Sequence, residues 1–304
     1  MKSYRTYKTC WTFKPGNLLK SSVLDLHATS RLIHKYEIMV DILFINNLAL
    51  KAGEMIEASF CKDTPFDKKE SYADLVTEVD KAVENFICKE ILTAFPTHKI
   101  IAEEAYSGNA QLTCSPTWII DPIDGTSNFV SRFPFVCVSI AYYVNKEPEL
   151  AVVYNPILKW CFHGIRSQGA FLNDKQIHTS KLKDLSQALV LTDWGGDRSP
   201  EVLDVKSNNM RQIISKARGV RTMGSAALHM CQIAAGNGDV FFEFGIHCWD
   251  YAAAILIVRE AGGYCCNFDG KPVDLMARNV ICAGTQELAN AVIPLIRPVD
   301  YARD

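Results

Sequence analysis

The sequence has no marked excess of either charge and no long apolar run. Its 32 Lys and Arg nearly balance 34 Asp and Glu, which gives a net charge of −2. Nucleic-acid-binding domains usually carry a basic excess, so a nucleic-acid partner is not expected. The richest apolar stretch, residues 38–52, is interrupted by Asp41, Asn46 and Asn47 and is too short to span a bilayer. We therefore predict a globular protein without a membrane partner.

Paired cysteines at metal-binding or redox spacing are also missing. The chain has 11 cysteines, an odd number, and no Cys-x-x-Cys pair. Cys137, Cys231 and Cys282 lie within apolar runs, which is typical of buried free thiols. Free thiols fit a reducing compartment, so we predict a cytoplasmic protein.

Residues 1–35 differ in composition from the rest of the chain. They contain seven Lys and Arg residues but a single acid, Asp25, and their aromatic residues follow no helical or strand period. The segment has no apolar core, which excludes a secretory signal peptide. Its shortage of acids leaves a mitochondrial presequence open, although Lys outnumbers Arg. We predict a disordered or loosely docked extension, followed by one catalytic domain at 36–304.

The remaining pattern indicates layers of helices and sheets. Apolar residues recur every three to four positions from Ile38 to Ile56, which predicts a helix with one core-facing side. Residues 136–144, 150–154, 160–164 and 169–172 form short apolar runs separated by Pro, Asn and Gly. This spacing predicts an antiparallel meander. The fold class is therefore layered α/β (α+β), with largely antiparallel sheets.

The most informative stretch is Trp-Ile-Ile-Asp-Pro-Ile-Asp-Gly-Thr at residues 118–126. It predicts a buried strand that carries two carboxylates, Asp121 and Asp124, at its end. Carboxylates on a stiff backbone suit a hard cation, and a following helix start at Gly125 and Thr126 would favour a phosphate. Asp-Pro and Asp-Gly are also ordinary turn pairs, so the stretch alone leaves a simple turn open.

Other acids occupy similar positions along the chain. Glu103 and Glu104 follow a predicted strand at 99–102. Thr77, with Asp80 three positions later, can start a helix as a cap, and Asp250 can cap the helix that follows it, so neither Asp80 nor Asp250 by itself requires a cation. If Glu103, Asp121, Asp124 and Asp250 converge, their mutual repulsion requires cations. Oxygen ligands without His or Cys favour Mg²⁺ over zinc.

Two separate stretches resemble signatures of the inositol monophosphatase family, whose members are Mg²⁺-dependent, Li⁺-sensitive phosphatases. They are the 118–126 stretch and His-Cys-Trp-Asp-Tyr-Ala-Ala-Ala at 247–254. The resemblance extends from Tyr36 to about Leu295. It implies a sugar-phosphatase-like fold with alternating helix layers and two sheets, a homodimer, and inhibition by Li⁺.

The resemblance also implies a ligand set for two or three Mg²⁺ ions. The first ion would be held by Glu103, Asp121 and the Ile123 carbonyl, and the second by Asp121, Asp124 and Asp250. Lys69, which by itself would pass for a solvated loop residue, would point into this metal site. Thr126, backed by Asp80, would orient a water for in-line attack without a covalent intermediate.

The substrate contacts implied by the resemblance combine these residues with a later loop. The phosphate end would meet Ile123, Asp124, Gly125, Thr126 and Asp250. The hydroxyl face of the inositol ring would meet Gly224, Ser225, Ala226 and Glu243.

We therefore expect hydrolysis of inositol monophosphates to inositol and phosphate. Residues 193–197 depart from the usual family pattern, which leaves open a phosphatase for another sugar phosphate or for a nucleotide phosphate. A metal-binding protein without catalysis is a further alternative, although all four metal acids are present.

Overall fold

The structure is a computed structural model that describes residues 26–62, 65–69, 75–108 and 111–304, with side chains from residue 42 onward. The chain divides into two units, Met1–Glu37 and Ile38–Asp304, and both sheets and the candidate site lie in the second. Most of the predicted extension, residues 1–35, lies outside the described residues, so its disorder and the boundary at 36 stay predictions.

Seven helices and fourteen strands are present in the described residues. The helices are α1 Leu26–Phe60, α2 Glu78–Ala94, α3 Thr126–Ser131, α4 Pro200–Ile214, α5 Ala226–Ala234, α6 Cys248–Glu260 and α7 Gln286–Val292. Helix α1 begins earlier than the periodicity near Tyr36 predicts. None of the described helices combines the length and apolar character needed to cross a bilayer.

The predicted meander is confirmed as part of a seven-stranded sheet. Its strands, in spatial order, are β3 Lys99–Ala102, β4 Thr117–Asp124, β5 Cys137–Val144, β6 Glu147–Asn155, β7 Trp160–Ile165, β8 Gly169–Leu172 and β9 Lys175–Ile177. All neighbouring pairs are antiparallel except β3 and β4, which run parallel.

A second sheet is formed by five strands from the second half of the chain. Its strands, in spatial order, are β11 Gly219–Arg221, β10 Leu189–Leu191, β12 Val240–Phe244, β14 Asn279–Ala283 and β13 Tyr264–Cys266. Strand β10 is parallel to both β11 and β12, because helices α4 and α5 cross between these strands, so this sheet is mixed. A small hairpin, β1 Phe66–Lys68 with β2 Leu75–Thr77, stands apart from both sheets.

The apolar core explains the layer order. Alternate residues of a strand face opposite sides of its sheet. In β4, Trp118 and Ile120 pack with α1 and α2, whereas Ile119 packs with α5 and α6. In β12, Phe241 packs with α5 and α6, whereas Phe242 packs with α4 and α7. Helices α5 and α6 therefore lie between the two sheets, and the predicted alternation of helix layers and two sheets is confirmed.

Candidate active site

Strand β4 continues through the Asp-Pro-Ile-Asp segment rather than turning there. Asp121 pairs with Ser139 and Asp124 pairs with Cys137, so three steps on β4 match two on β5. In a regular strand, residues three apart face opposite sides of the sheet. The bulge removes this alternation and brings both buried carboxylates toward one region. The simple turn interpretation of these acids is therefore wrong.

Asp124 is held by the N-terminus of α5. Its Oδ2 accepts hydrogen bonds from the Ser225 hydroxyl (2.6 Å) and the Ala227 N–H (2.7 Å). Burial raises the pKa of Asp124 to about 6, and these hydrogen bonds oppose that rise. Donors and the positive end of the helix dipole thus stabilise the carboxylate without a basic side chain.

Asp250 occupies the third position of α6, and His247 is the N-cap, so the expectation that Asp250 itself is the cap is wrong. The Asp250 Oδ2 accepts a hydrogen bond from the His247 N–H at 2.7 Å, which completes a capping box. Burial raises the pKa of Asp250 well above its usual value, and the nearby Asp124 and Glu103 raise it further. Asp250 therefore combines a helix-starting role with a place in the acidic cluster.

Asp121 lies at the centre of this cluster. Burial raises its pKa well above the usual range, and Glu103, Asp124 and Asp250 add to the effect. Its Oδ1 is buried and has no hydrogen-bond partner in the described part of the chain. A buried carboxylate oxygen without a partner is costly, so this atom calls for a positively charged ligand.

Glu103 faces the only side-chain cation that contacts the predicted ligand set in the described residues. Lys69 Nζ lies 2.7 Å from Glu103 Oε1 and 2.7 Å from Glu104 Oε1. Burial by itself would lower the pKa of Lys69, but attraction to Glu103 and Glu104 outweighs it and raises the pKa. Burial raises the pKa of Glu103 to about 7, while the charge of Lys69 acts to lower it. Lys69 therefore does point toward the acids.

The donor set fits Mg²⁺. Four acids and a backbone carbonyl offer oxygen ligands only, and one buried carboxylate oxygen lacks a partner. In the described ranges, no group of three or more His, Cys, Asp or Glu side chains already has the arrangement that would hold an ion. Four mutually repelling carboxylates have no reason to adopt that arrangement without the ion's charge. The conclusion that these residues suit Mg²⁺ therefore rests on their oxygen ligands and on the buried Asp121 Oδ1.

Thr126 links the bulge to α2. Its hydroxyl lies 3.1 Å from Asp80 Oδ1 and 3.1 Å from the Ile123 carbonyl oxygen. The other Asp80 oxygen accepts hydrogen bonds from the Thr77 N–H and hydroxyl, which confirms the predicted cap of α2. Asp80 therefore both takes part in the cap of α2 and holds the Thr126 hydroxyl, because each of its carboxylate oxygens has its own partner.

The two predicted substrate loops touch. Gly125 has a φ of +94° and approaches the Gly224 carbonyl so closely that an added Cβ would lie 2.9 Å from it. Asn128 joins the loops, because its Nδ2 donates to the Phe135 and Met223 carbonyls at 2.9 and 2.6 Å. Sequence reasoning assigned no role to Asn128. The hydroxyl of Ser225 is buried against Asp124, so only its backbone remains for a substrate.

A cleft of about 300 Å³ opens over these residues. Its wall contains predicted site residues, namely Glu103, Asp124, Gly125, Thr126, Gly224, Ser225, Ala226, Glu243 and Asp250. It also contains residues that sequence reasoning did not assign, namely Ser127, Asn128, His247, Trp249, Arg278 and Tyr301. Four predicted site residues do not line the cleft and lie behind its wall, namely Lys69, Asp80, Asp121 and Ile123.

The segment around Tyr301 and Asp304 closes one side of the cleft. The Tyr301 hydroxyl donates to Asp197 Oδ2 at 2.9 Å. The Asp304 side chain is 1% exposed, and its oxygens lie 2.6 Å from His247 Nδ1 and 2.7 Å from the Cys248 N–H. Asp304 therefore supplies an acceptor to the first turn of α6, the helix that carries Asp250.

Fold and acidic cluster together are those of a phosphatase. Comparison with known proteins agrees, because residues 40–301 match the Inositol monophosphatase family. Inositol monophosphatase 2 of Rattus norvegicus is 46% identical over 260 residues, which are 84% of this chain and 90% of the relative. Inositol monophosphatase 1 of Mus musculus is 42% identical, over 84% of this chain and 94% of the relative.

The solved structures lead to the same group. An IMPase of Thermotoga maritima has a TM-score of 0.75 and 32% sequence identity, and the match covers 83% of this chain and 94% of that one. The chain belongs to the inositol monophosphatase family and is an inositol-phosphate phosphatase. The family is generally metal-dependent, in agreement with the acids described above.

Proposed function

We propose that this protein hydrolyses inositol monophosphates to free inositol and phosphate with Mg²⁺, by direct attack of water. The observation that carries the proposal is the buried Asp121 Oδ1, which has no partner among the described residues and lies beside Glu103, Asp124 and Asp250, behind the wall of the cleft. Such a cluster is unfavourable by itself and becomes favourable with divalent cations and a phosphate.

The residues divide into two ligand groups. Glu103, Asp121 and the Ile123 carbonyl would hold one Mg²⁺, and Asp121, Asp124 and Asp250 would hold a second, with a third ion admitted beside the substrate. When bound, the ions supply positive charge that neutralises the phosphate oxygens and promotes ionisation of water. The hydrogen bonds from Ser225 and Ala227 both go to Oδ2 of Asp124, and Oδ1 would be the ligand atom.

Thr126 and Asp80 orient the attacking water. The Thr126 hydroxyl donates a hydrogen bond to Asp80 Oδ1, so its oxygen can accept a hydrogen bond from a water at the cleft wall. The water oxygen is thereby directed toward phosphorus on the side opposite the leaving group. Asp80 acts as a positioning residue, since it contacts Thr126 and not the substrate. No covalent phospho-enzyme is part of this proposal.

The substrate spans the two touching loops. The phosphate lies against the N–H groups of Gly125 and Thr126, beside Asp124 and Asp250. The ring hydroxyls lie toward Gly224, Ala226, the Ser225 backbone and Glu243, at the other end of the same cleft. Glu243 is 3% exposed, and its Oε2 has no hydrogen-bond partner among the described residues, which suits a hydroxyl donor from the substrate.

The remaining features of the proposal come from family membership and composition. We infer a homodimer, inhibition by Li⁺ and a cytoplasmic location without nucleic-acid partners. The described cysteines are free thiols, which supports the location.

Release of phosphate from inositol 1-phosphate, measured with saturating Mg²⁺ and with excess EDTA, tests the proposal. Glucose 6-phosphate and adenosine 2′-phosphate serve as alternative substrates. We expect Mg²⁺-dependent turnover with the largest kcat/KM for inositol 1-phosphate. A preference for either alternative would change the substrate, and no turnover of any ester would favour a metal-binding protein without catalysis.

A further inference from the structure

Lys206 is a charged residue on the core-facing side of α4. It follows Val202 by one turn and precedes Asn209 and Ile213, and these four are the buried residues of the helix. The Lys206 residue is only 8% exposed, and its Nζ lies 4.9 Å from the centre of the Phe244 ring. Lysine is rarely buried without an acid to balance it. No direct ion pair of Lys206 with an acid occurs in the part of the chain that the structure describes.

Burial lowers the pKa of Lys206, and attraction to Glu243, the residue at the ring-hydroxyl end of the cleft, is the largest effect that opposes this. Gly195 separates the ammonium from the cleft. A Cβ on Gly195 would lie 2.9 Å from Lys206 Nζ and 3.6 Å from Glu243 Oε1. The ammonium and the carboxylate therefore both lie close to Gly195. Gly195 also has a φ of +62°, a second reason for glycine there.

A small cavity of about 10 Å³ lies between the two side chains and is lined by both. This is roughly the smallest volume that holds one water molecule. Its polar lining, which includes Asp193 and Thr192, provides the partners that such a water needs. The positive charge of Lys206 can thus reach Glu243 through space or through one water, while Glu243 keeps an oxygen for the cleft.

The charge on Glu243 decides what it can recognise. An ionised carboxylate only accepts hydrogen bonds, whereas a protonated one also donates. Burial raises the pKa of Glu243 to about 8, and among the residues that the structure describes Lys206 is the group that acts to lower it. Lys206 therefore favours the form that accepts hydrogen bonds from substrate hydroxyls.

We propose that Lys206 is a positioning residue for substrate specificity, which holds Glu243 from behind Gly195 as the acceptor for ring hydroxyls. It thereby selects phosphate esters of polyhydroxylated rings over simpler phosphate esters. The inference rests on the proposed function, in which Glu243 contacts the ring. Lys206 itself does not line the cleft and is not a catalytic residue.

The test compares inositol 1-phosphate with p-nitrophenyl phosphate, which has no ring hydroxyl. The variants are Lys206→Met, which keeps the length and removes the charge, Glu243→Gln, and the double variant. Lys175→Met is the matched control, because Lys175 is exposed on β9. Lys206→Gln provides a second neutral side chain if Met is poorly accommodated, and melting temperatures verify folding.

Loss of one charge-assisted hydrogen bond predicts a rise in KM for inositol 1-phosphate of about tenfold in Lys206→Met. We expect kcat for that substrate, and kcat/KM for p-nitrophenyl phosphate, to change by less than about twofold, within the range of ordinary surface substitutions. In the Glu243→Gln background, removal of the Lys206 charge should add almost nothing, because the two act through one contact.

Equal losses on both substrates, or additive effects of the two substitutions, would overturn the inference and show that Lys206 is structural only. If Glu243→Gln discriminates between the substrates but neither Lys206 variant does, the inference fails while the proposed function stands. If Glu243→Gln does not discriminate, the assigned ring contact is wrong and the inference fails with it.

Discussion

Replacing Asp124 with Asn separates the charge of this residue from its shape. Asp124 Oδ2 accepts hydrogen bonds from Ser225 (2.6 Å) and Ala227 (2.7 Å), and the amide oxygen of Asn can accept both. The fold should therefore be kept. The lost charge is one of the main stabilisers of the second cation, and the loss of such a group typically lowers kcat by about 100-fold or more.

The same substitution should change how Mg²⁺ stabilises the protein. A ligand at 100 times its Kd stabilises the folded state by about 2.7 kcal/mol. For the wild-type protein we therefore expect a rise in Tm on addition of Mg²⁺, and a clearly smaller rise for Asp124→Asn. Without metal the variant should melt no lower than wild type, because burial makes the Asp124 carboxylate unfavourable and raises its pKa to about 6.

Scanning calorimetry with Mg²⁺ and with EDTA, together with phosphate release, provides both measurements. The control is Asp174→Asn, an exposed acid in the turn after β8, where a φ of +66° accommodates Asn. Turnover near the wild-type rate, with the same dependence of both rate and Tm on Mg²⁺, would refute the role assigned to Asp124.

Three further predictions concern other parts of the protein. Deletion of residues 1–35 should leave kcat and Tm nearly unchanged, because the family match begins at residue 40; an insoluble or much less stable product would show that the extension belongs to the core. Li⁺ should inhibit at concentrations where Na⁺ does not, and the inhibition should be uncompetitive with respect to inositol 1-phosphate. Li⁺ is close to Mg²⁺ in size but has half its charge, so it would hold the product in the site of Asp124 and Asp250. Competitive inhibition would contradict this. Asp304→Ala should lower the free energy of unfolding in urea by about 1 kcal/mol, as loss of a helix cap does, and should raise the Mg²⁺ concentration needed for half-maximal rate, whereas Asp300→Ala, at an exposed position, should do neither.

Much of the fold could be predicted because its signals are local. The helical period in α1 and the turn residues between the strands of the meander are visible within a few residues of each other. The mixed pairing of the second sheet was harder to predict, because one helix lies between β10 and β11 in the chain and two lie between β10 and β12. Pairing order depends on packing across the whole chain and leaves little local pattern.

The candidate site shows the same division. Acids at strand ends and helix starts indicated a cation site, and two signatures indicated the family. The double use of Asp80 was partly visible, since Thr77 and Asp80 have cap spacing, but its contact with Thr126 joins residues 46 positions apart. The buried hydroxyl of Ser225 was not predictable, because its partner Asp124 is 101 positions away.

The sequence by itself determined which residues can bind a cation and a phosphate, because ligand chemistry belongs to the residue type. Tertiary structure alone decided which of them meet. The bulge in β4 cancels the alternation that would separate Asp121 from Asp124, and α6 brings Asp250 to the same place. Lys206 and Asp304 gain their contacts with the site region only when α4 and the segment after α7 pack beside it. Contacts of this kind arise from the packing of whole layers, whose geometry is not encoded in any short stretch of sequence.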